Sequence, residues 1–300
     1  MRVDLAVTTP AFLDLTFVGL EGLPAPGEER YAGDLVRSPG GGAITAVAAA
    51  RLGLRTALIA PLADDLAGDW VRRRLEDEGV FVAKPWARRT PQTVVMPVGE
   101  EVTMVTVDPG VRARASDVAE FEPAAIAGNL DQLDLVPDGA RLYLTCGDDD
   151  ARAFVRRLPP GLSGARALFL NEKDARVLTG ADSAESAAQQ LAEAVPTVAI
   201  TLGAQGCVGV IGGGRVEPPR FDTGAAVDTT GDRDLLCAAY AWADLRGAEP
   251  DEALCWAELY NRLAMTRPTA TGGAVTEAEL LEAGERHGLT RPPEAGAAAR

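Results

Sequence analysis

The chain has 300 residues, of which 47% are hydrophobic and 24% charged, proportions that exclude a disordered protein. Its formal net charge is −15, so it repels polyanions on average, and binding to nucleic acid or to an anionic membrane is not expected. The length predicts about two domains, or one large α/β domain with an insertion.

The cysteine and histidine content limits the chemistry further. The four cysteines (Cys146, Cys207, Cys237 and Cys255) form no CxxC pair, which predicts reduced thiols in a cytoplasmic protein. The one histidine, His287, lies near a polar C-terminus, so neither a zinc site nor a Ser–His–Asp triad is expected. No stretch reaches 18 apolar residues and no basic start precedes a long apolar run, so export and membrane spanning are not expected.

The first eighty residues alternate between strand and helix patterns. This alternation predicts a parallel sheet covered by helices. The predicted elements are a strand at 3–8, two or three short strands in 12–36, a helix at 43–53 ending at Gly53, a strand at 56–60 and an amphipathic helix at 65–78.

Residues 92–107 follow a different pattern. Two β-rich runs flank Gly99-Glu100, which is typical of a hairpin. Together with 12–36 they predict a small antiparallel sheet that projects from the α/β body as a lid over a cleft. An uncovered face of such a sheet favours a homodimer through the lid.

The second half returns to α/β alternation, so we predict one unit over 1–288 and a flexible tail over 289–300. The predicted strands are 141–146, 167–170 and 197–202, with a hairpin near 206–217. The predicted helices are 150–157, 172–179, 183–194, 234–246, 250–266 and 276–287.

The segment 228–234, Asp-Thr-Thr-Gly-Asp-Arg-Asp, has the strongest chemical pattern. It precedes an apolar run and predicts a loop that enters a helix N-terminus, where free amides and the helix dipole can hold an anion. Asp234 in the first turn is then a helix cap, a partner of the dipole, or a base that takes a proton from a hydroxyl.

This segment resembles the C-terminal signature Asp-Thr-x-Gly-Ala-Gly-Asp of the ribokinase-like (PfkB) carbohydrate and nucleoside kinases. Asp228, Thr229, Gly231 and Asp234 are in register with it. Other segments resemble family motifs in the same chain order: 23–29, Gly40–Gly42 with the following helix, 62–80, 171–180, 201–206 and Gly272-Gly273. The resemblance covers nearly the whole chain and implies a three-layer α/β/α sandwich with a mainly parallel sheet and a small β lid.

The resemblance also implies an activity, the transfer of the ATP γ-phosphoryl group to a hydroxyl of a small sugar or nucleoside-like substrate. Asp234 would accept the hydroxyl proton, and amides near Gly231 would stabilise the developing charge. Mg²⁺ would bridge the phosphates, with Asn171 and Asp174 acting through water.

Further site residues follow from the same resemblance. Those expected at the acceptor are Asp14, Gly40, Gly41 and Thr45. Those expected at the nucleotide are Asn171, Thr201, Gly203, Gly206, Thr229, Gly272 and Gly273.

Three features depart from the family pattern. Asp232 and Arg233 replace an Ala-Gly pair, so Arg233 either blocks the phosphate or offers it a guanidinium, and an ion pair between the two would cancel their charges. Ile44 or Thr45 stands where the family has an asparagine. Only 24 residues separate Cys146 from Asn171, where the family has a further α-β unit.

Three functions therefore stay open. The first is an ATP-dependent kinase for a small hydroxylated substrate. The second is a catalytically silent relative that binds or regulates. The third is a different enzyme on the same scaffold, in which Arg233 binds an anionic substrate. Arg262 is expected at the surface or at a phosphate, and residues 148–150 at a solvated helix start.

Overall fold

The computed structural model describes residues 1–84, 86–98 and 101–293. They form two β-sheets, one of nine strands and one of four, with helices packed against the larger sheet. The predicted turn at Gly99-Glu100 lies outside the described residues.

The first half of the chain contains every helix and strand predicted before residue 79. Its elements are β1 (Val3–Val7), β2 (Ala11–Val18), β3 (Asp34–Gly41), α1 (Gly42–Arg51), β4 (Thr56–Leu58), α2 (Leu66–Asp77), β5 (Phe81–Val82), β6 (Gln92–Val98), β7 (Glu101–Val107), α3 (Ala115–Ala119) and β8 (Pro123–Asn129).

The second half follows the predicted order as well. Its elements are β9 (Arg141–Thr145), α4 (Asp148–Ala153), β10 (Ala167–Asn171), α5 (Glu172–Thr179), α6 (Ala184–Leu191), β11 (Thr197–Thr201), β12 (Cys207–Ile211), β13 (Gly214–Val216), α7 (Asp232–Leu245), α8 (Pro250–Ala264), α9 (Ala270–Gly273) and α10 (Glu277–Arg286).

The larger sheet has the strand order β13-β12-β11-β10-β9-β8-β1-β4-β5. The strands from β11 to β5 run parallel, whereas β12 and β13 form an antiparallel edge, which confirms the predicted α/β class. The sequence patterns predict no strand between 108 and 140, yet β8 lies there beside β1 in the centre of the sheet. Residues 125–128 of β8 are buried, but the strand is made mostly of small residues and lacks the β-branched run that marks a strand.

Two hydrophobic cores fill the space on either side of this sheet. Leu5 and Val7 of β1 face the core shared with α1, α2, α7, α8 and α10, and Ala6 faces the core shared with α3 to α6. This alternation along a strand is what a sheet covered on both faces requires. In the first core, Trp242 and Trp256 pack edge to face, with ring centroids 5.7 Å apart.

The smaller sheet has the order β3-β2-β6-β7 and contains the segments predicted as a lid. The pairs β2–β3 and β6–β7 are antiparallel as predicted, but β2 and β6 run parallel, so the prediction of a wholly antiparallel sheet is wrong. The reason is topological: the chain leaves β3, passes through α1, β4 and α2, and returns in the direction of β2.

The segment after 288 does not begin as a free tail. Leu289 packs against the first core, and the indole nitrogen of Trp256 donates a hydrogen bond of 3.0 Å to the carbonyl of Thr290. These contacts hold residues 289 and 290 against the first core, although the flexible tail was predicted to begin at residue 289. Residues 294–300 lie outside the described residues.

Within residues 1–84, 86–98 and 101–293, every helix is too short or too polar to cross a lipid bilayer. All four cysteines are free thiols, and Cys146 and Cys237 are buried.

Candidate active site

The carboxyl ends of the central parallel strands form one edge of the sheet. Asn171 ends β10 and pairs in register with Thr201 at the end of β11, and Asn129 at the end of β8 pairs with Thr145 of β9. Ligands of open α/β sheets bind at this edge, where loops and helix N-termini meet. The polar ends of these strands therefore mark the candidate site.

Helix α7 begins at this edge, and Gly231 sets its position. Gly231 is the N-cap residue and has a φ of 74°, a left-handed conformation that glycine adopts without strain. A Cβ atom there would lie 2.8 Å from the Ile44 Cδ1 atom and 2.9 Å from the Ala270 Cβ atom. Glycine thus lets the start of α7 approach both α1 and α9.

Asp234 lies in the first turn of α7 with 4% of its surface exposed. Burial raises the pKa of its carboxyl group, and the guanidinium of Arg233 opposes that shift. Thr45 is also buried, and its hydroxyl donates a 3.4 Å hydrogen bond to the Asp234 carbonyl. The structure thus uses Thr45 to join α1 to α7, whereas we predicted that it binds the acceptor.

The Arg233 guanidinium contacts three acceptors. It donates a 2.7 Å hydrogen bond to the Cys146 carbonyl, lies 3.5 Å from the Asp234 carboxylate and lies 3.6 Å from the Asp174 carboxylate. Among the described residues it forms no ion pair with Asp232. One cation therefore links the carboxylates of two predicted site residues.

Asp232 satisfies an amide that was expected to hold phosphate. Its carboxylate accepts a 2.6 Å hydrogen bond from the backbone nitrogen of Arg233. Burial raises the pKa of Asp232, and contacts with Thr201 and Arg233 oppose the shift. A phosphate at this helix end must therefore compete with a carboxylate for the Arg233 amide.

Asn171 and Asp174 form the start of α5. The Asn171 side-chain oxygen caps the helix by accepting from the Asp174 nitrogen at 2.7 Å, and its amide group donates to the Asp174 carboxylate at 2.8 Å. Burial raises the pKa of Asp174, with Arg233 as the main opposing charge. Both predicted metal residues thus have protein partners already.

Asp14, which is predicted to bind the acceptor, lies in a cleft near the start of α7. It lines a small cleft together with Thr16, Ser38, Pro39, Ile44, Asp228, Thr230, Thr269 and Ala270. Burial raises the pKa of Asp14 to about 7, the Thr93 hydroxyl opposes this, and the charge of Asp234 adds to it. Ile44 and Ala270 of this cleft also lie against Gly231, so the cleft adjoins the start of α7, where Asp234 lies.

The predicted glycines of the acceptor side pack tightly. A Cβ atom on Gly40 would overlap the Asp14 carboxylate, and one on Gly41 would overlap the Pro10 carbonyl and the Phe12 ring. Gly40 therefore provides the space in which the Asp14 carboxylate lies.

Asp228 connects the loops on either side of the cleft. Its carboxylate accepts hydrogen bonds from the Thr230 nitrogen at 2.8 Å and from the Thr269 nitrogen at 2.9 Å. On the predicted nucleotide side, the exposed Thr229 faces Gly203, which follows β11. Three of the predicted motifs thus meet around the start of α7.

Two predicted nucleotide residues, Gly272 and Gly273, lie in the one-turn helix α9 and not in a loop. A Cβ atom on Gly273 would overlap the Ala264 carbonyl, so this glycine allows α9 to approach the end of α8.

Two polar residues of α8, Glu258 and Asn261, were not predicted as site residues, yet both are buried. Glu258 is 4% and Asn261 1% exposed, and a Cβ atom on Gly206 would lie 3.1 Å from a Glu258 carboxylate oxygen. Burial raises the pKa of Glu258 to about 7. The one available signal was two polar residues three positions apart on an apolar helix, which share a face.

The secondary candidates have structural partners. Arg262 donates a 2.6 Å hydrogen bond to the Ala204 carbonyl and so fastens the turn after β11. Asp148 pairs with Arg152 and Lys173 on the surface, as expected for a solvated helix start. Asp150 is instead buried, which raises its pKa to about 6.

Comparison with known proteins agrees with this architecture. Residues 13–276 match the pfkB family of carbohydrate kinases, and the chain therefore belongs to that family. It is 25% identical over 263 residues to a ribokinase of Haemophilus influenzae, covering 81% of this chain and 86% of that protein.

Solved structures show the same fold. A ribokinase from Thermotoga maritima superposes with a TM-score of 0.80 at 19% identity, covering 94% of this chain and 99% of that one. A ribokinase from Arabidopsis thaliana, solved with ribose and ATP, superposes with a TM-score of 0.78 at 23% identity and the same coverage.

Proposed function

We propose that this protein transfers the γ-phosphoryl group of ATP to a hydroxyl of a small sugar or nucleoside-like acceptor. The observation that carries the proposal is the position of Asp234, a buried carboxylate in the first turn of α7. Gly231 at the start of that helix lies against Ile44 and Ala270, which line the Asp14 cleft. The Arabidopsis relative was solved with ribose and ATP, which supports this donor and an acceptor of that size.

In this proposal each carboxylate has one task. Asp234 accepts the proton of the attacking hydroxyl, and Asp14 holds neighbouring hydroxyls of the acceptor, because a carboxylate accepts several hydrogen bonds. The site needs little covalent chemistry of its own, since phosphoryl transfer depends on positioning and on charge stabilisation.

Arg233 supplies positive charge where the phosphoryl group passes. Its guanidinium lies between Asp174 and Asp234 and keeps a partly exposed side chain, with 22% of its surface accessible. A guanidinium is planar and can bind two phosphate oxygens at once. We infer that it turns from the carboxylates to the phosphoryl group when the nucleotide binds.

The residues present do not fit a protein-held Mg²⁺ ion. Asp174 already faces a guanidinium at 3.6 Å, and both polar atoms of the Asn171 amide bind Asp174. Among the described residues, no three His, Cys, Asp or Glu side chains form a group that could hold a metal. The steps proposed here therefore use the protein side chains alone, and a water-mediated Mg²⁺ contact remains a prediction.

A second candidate is a kinase-fold protein that binds its ligands and does not transfer phosphate. Two observations favour it: the guanidinium 3.5 Å from the Asp234 carboxylate, and the Asp232 carboxylate on the Arg233 amide. Both features occupy groups that phosphoryl transfer would need.

The deciding experiment is a coupled ADP-release assay over a panel of sugars and nucleosides. We expect turnover with at least one acceptor, abolished in Asp234→Asn and retained in Asp148→Asn, a control at the exposed start of another helix. If no acceptor gives Asp234-dependent turnover while calorimetry shows ATP binding, the kinase proposal fails and the second candidate stands.

The smaller sheet is the proposed dimer interface. On the face opposite to Asp14, its strands expose Leu35, Val105 and Val107, each at least 39% accessible. A second copy of the chain would cover this apolar face. We also propose a cytoplasmic location, which would keep the four free thiols reduced.

A further inference from the structure

A cavity of about 100 Å³ adjoins the Asp14 cleft, and its lining includes Gly272, one of the predicted nucleotide residues. Residues from the end of β3, from α1, from α2 and from the start of α9 line it. The lining includes three arginines and two threonines: Arg37, Arg51, Arg74, Thr269 and Thr271. For a protein with a net charge of −15, this is an unusual concentration of positive charge.

One of the three arginines already has a carboxylate partner in the protein. Arg51 forms a two-pronged ion pair with Glu78, with bonds of 2.8 and 2.7 Å, and also donates to the Ala274 carbonyl. Glu78 lies in the cavity lining too, so this pair contributes little net charge there.

The other two arginines, Arg37 and Arg74, are exposed, and the charge of Arg74 contributes to lowering the pKa of Glu78. Within the described part of the chain, neither Arg37 nor Arg74 has a carboxylate within ion-pair distance. The Arg74 guanidinium lies over the Trp70 ring, 6.0 Å from its centroid, which holds a long side chain in place at the cavity rim. The lining therefore presents two guanidinium groups that form no ion pair with a described carboxylate.

Hydroxyl groups complete the lining. Thr271 is 9% exposed, and its hydroxyl makes no hydrogen bond to another described residue. Thr269 accepts from the Gly272 nitrogen at 3.0 Å and keeps its own hydroxyl proton for another acceptor. Guanidinium and hydroxyl donors around a small space can bind an oxyanion through charge-assisted hydrogen bonds, which are stronger than those to a neutral acceptor.

The cavity adjoins the acceptor cleft. Ser38, Pro39 and Thr269 line both spaces. Thr269 has a φ of 60°, a strained conformation for a β-branched residue, and the Asp228 carboxylate holds its backbone nitrogen there. A molecule in the Asp14 cleft is therefore separated from the arginines by Ser38, Pro39 and Thr269, the residues that the two spaces share.

We propose that this arginine cavity binds a small oxyanion, a phosphate or carboxylate group, next to the acceptor. Guanidinium groups match the planar, two-oxygen edge of both anions, and the overall negative charge of the chain makes such local donors necessary for any anion to bind. The anion is either a free ion or part of the acceptor. The second possibility rests on the proposed kinase function, and the first does not.

The test is isothermal titration of inorganic phosphate into the full chain at constant ionic strength. We expect the native protein and an Arg73→Ala control, on the same helix but outside the lining, to bind one phosphate. An Arg37→Ala/Arg74→Ala variant should bind it at least tenfold more weakly, and Arg37→Lys/Arg74→Lys should recover part of the loss. Equal binding by the native protein and the double alanine variant, or no binding to the native protein at millimolar phosphate, overturns the proposal.

A second measurement separates the two sources of the anion. If the acceptor carries it, the double alanine variant raises KM at least tenfold for sugar phosphates or sugar acids and leaves KM for neutral sugars unchanged. If it is a free ion, inorganic phosphate changes turnover of a neutral sugar in the native protein and not in that variant. Should no acceptor be phosphorylated, the kinase proposal fails, and the calorimetry still decides whether the anion site exists.

Discussion

The guanidinium of Arg233 lies 3.5 Å from the carboxylate of Asp234, the residue next to it in the chain. The two side chains meet although successive residues of a helix point about 100° apart, because Arg233 is long enough to turn back across the helix end. The same guanidinium reaches Asp174 at the start of α5 and the Cys146 carbonyl after β9. A single cation thus connects three segments that converge on the candidate site.

Removal of Arg233 should shift the pH dependence of catalysis. Burial raises the pKa of Asp234 and Arg233 opposes it, so in Arg233→Ala the carboxyl group would hold its proton to higher pH. The acid limb of the kcat/KM profile should therefore move towards alkaline pH, with kcat about 100-fold lower, as for loss of one charge-stabilising donor. In Arg233→Lys, the acid limb of the kcat/KM profile should lie near its position in the native protein. If the acid limb of the kcat/KM profile of Arg233→Ala stays at its native position, the contact between Arg233 and Asp234 does not change the pKa of the base.

The double variant Asp232→Ala/Arg233→Gly separates the two candidate functions. It frees the amide that now bonds the Asp232 carboxylate and removes the guanidinium beside Asp234. If the native protein is an active kinase that uses Arg233, ADP release should fall. A rise in ADP release above that of the native protein would instead support the catalytically silent candidate.

Asp14 should make the stability of the protein depend on pH in a direction unusual for an aspartate. Its pKa is raised to about 7, so between about pH 4 and 7 the folded state binds more protons than the unfolded state. The destabilisation it causes is therefore absent below pH 4 and is complete above pH 7. Urea unfolding of Asp14→Asn should show a gain of about 4 kcal/mol at pH 8 and a much smaller one at pH 4. An equal gain at both pH values would contradict this.

Gly40→Ala should damage the acceptor side while leaving the fold intact. The new methyl group would overlap the Asp14 carboxylate and displace it. A misplaced binding group costs about 100-fold in kcat/KM, which steady-state kinetics on the best acceptor would measure. The matched control is Gly164→Ala, where an added Cβ meets no atom within 4 Å, and its kinetics should equal those of the native protein.

The dimer proposal predicts that one charge on the smaller sheet separates the subunits. Val105 on β7 is 58% exposed, and Val105→Glu would place a carboxylate on the apolar face. Light scattering after size-exclusion chromatography at micromolar protein should show a dimer for the native chain and a monomer for this variant. Val155→Glu, at an exposed valine of 45% accessibility away from that sheet, should remain dimeric. A monomeric native protein would contradict the proposal.

The order of helices and strands could be predicted because each element has a local pattern. Gly53 and Gly79 end α1 and α2 in the printed sequence, and the apolar runs of β1, β9, β10 and β11 are visible without coordinates. β8 could not be found in this way, since its small residues become a central strand only through burial between β1 and β9.

In the candidate site, the local sequence was enough to place Gly231 and Asp234 at the start of a helix. Helix capping and free amides depend on residues that are neighbours in the chain. The directions of the long side chains, in contrast, depend on segments that are distant in the chain. Arg233 reaches Asp174 and not Asp232, and Arg37 and Arg74 come to line one cavity. A long, flexible side chain is oriented by the carboxylates and carbonyl groups that contact it. Those partners come from distant segments, so the neighbouring sequence does not indicate them.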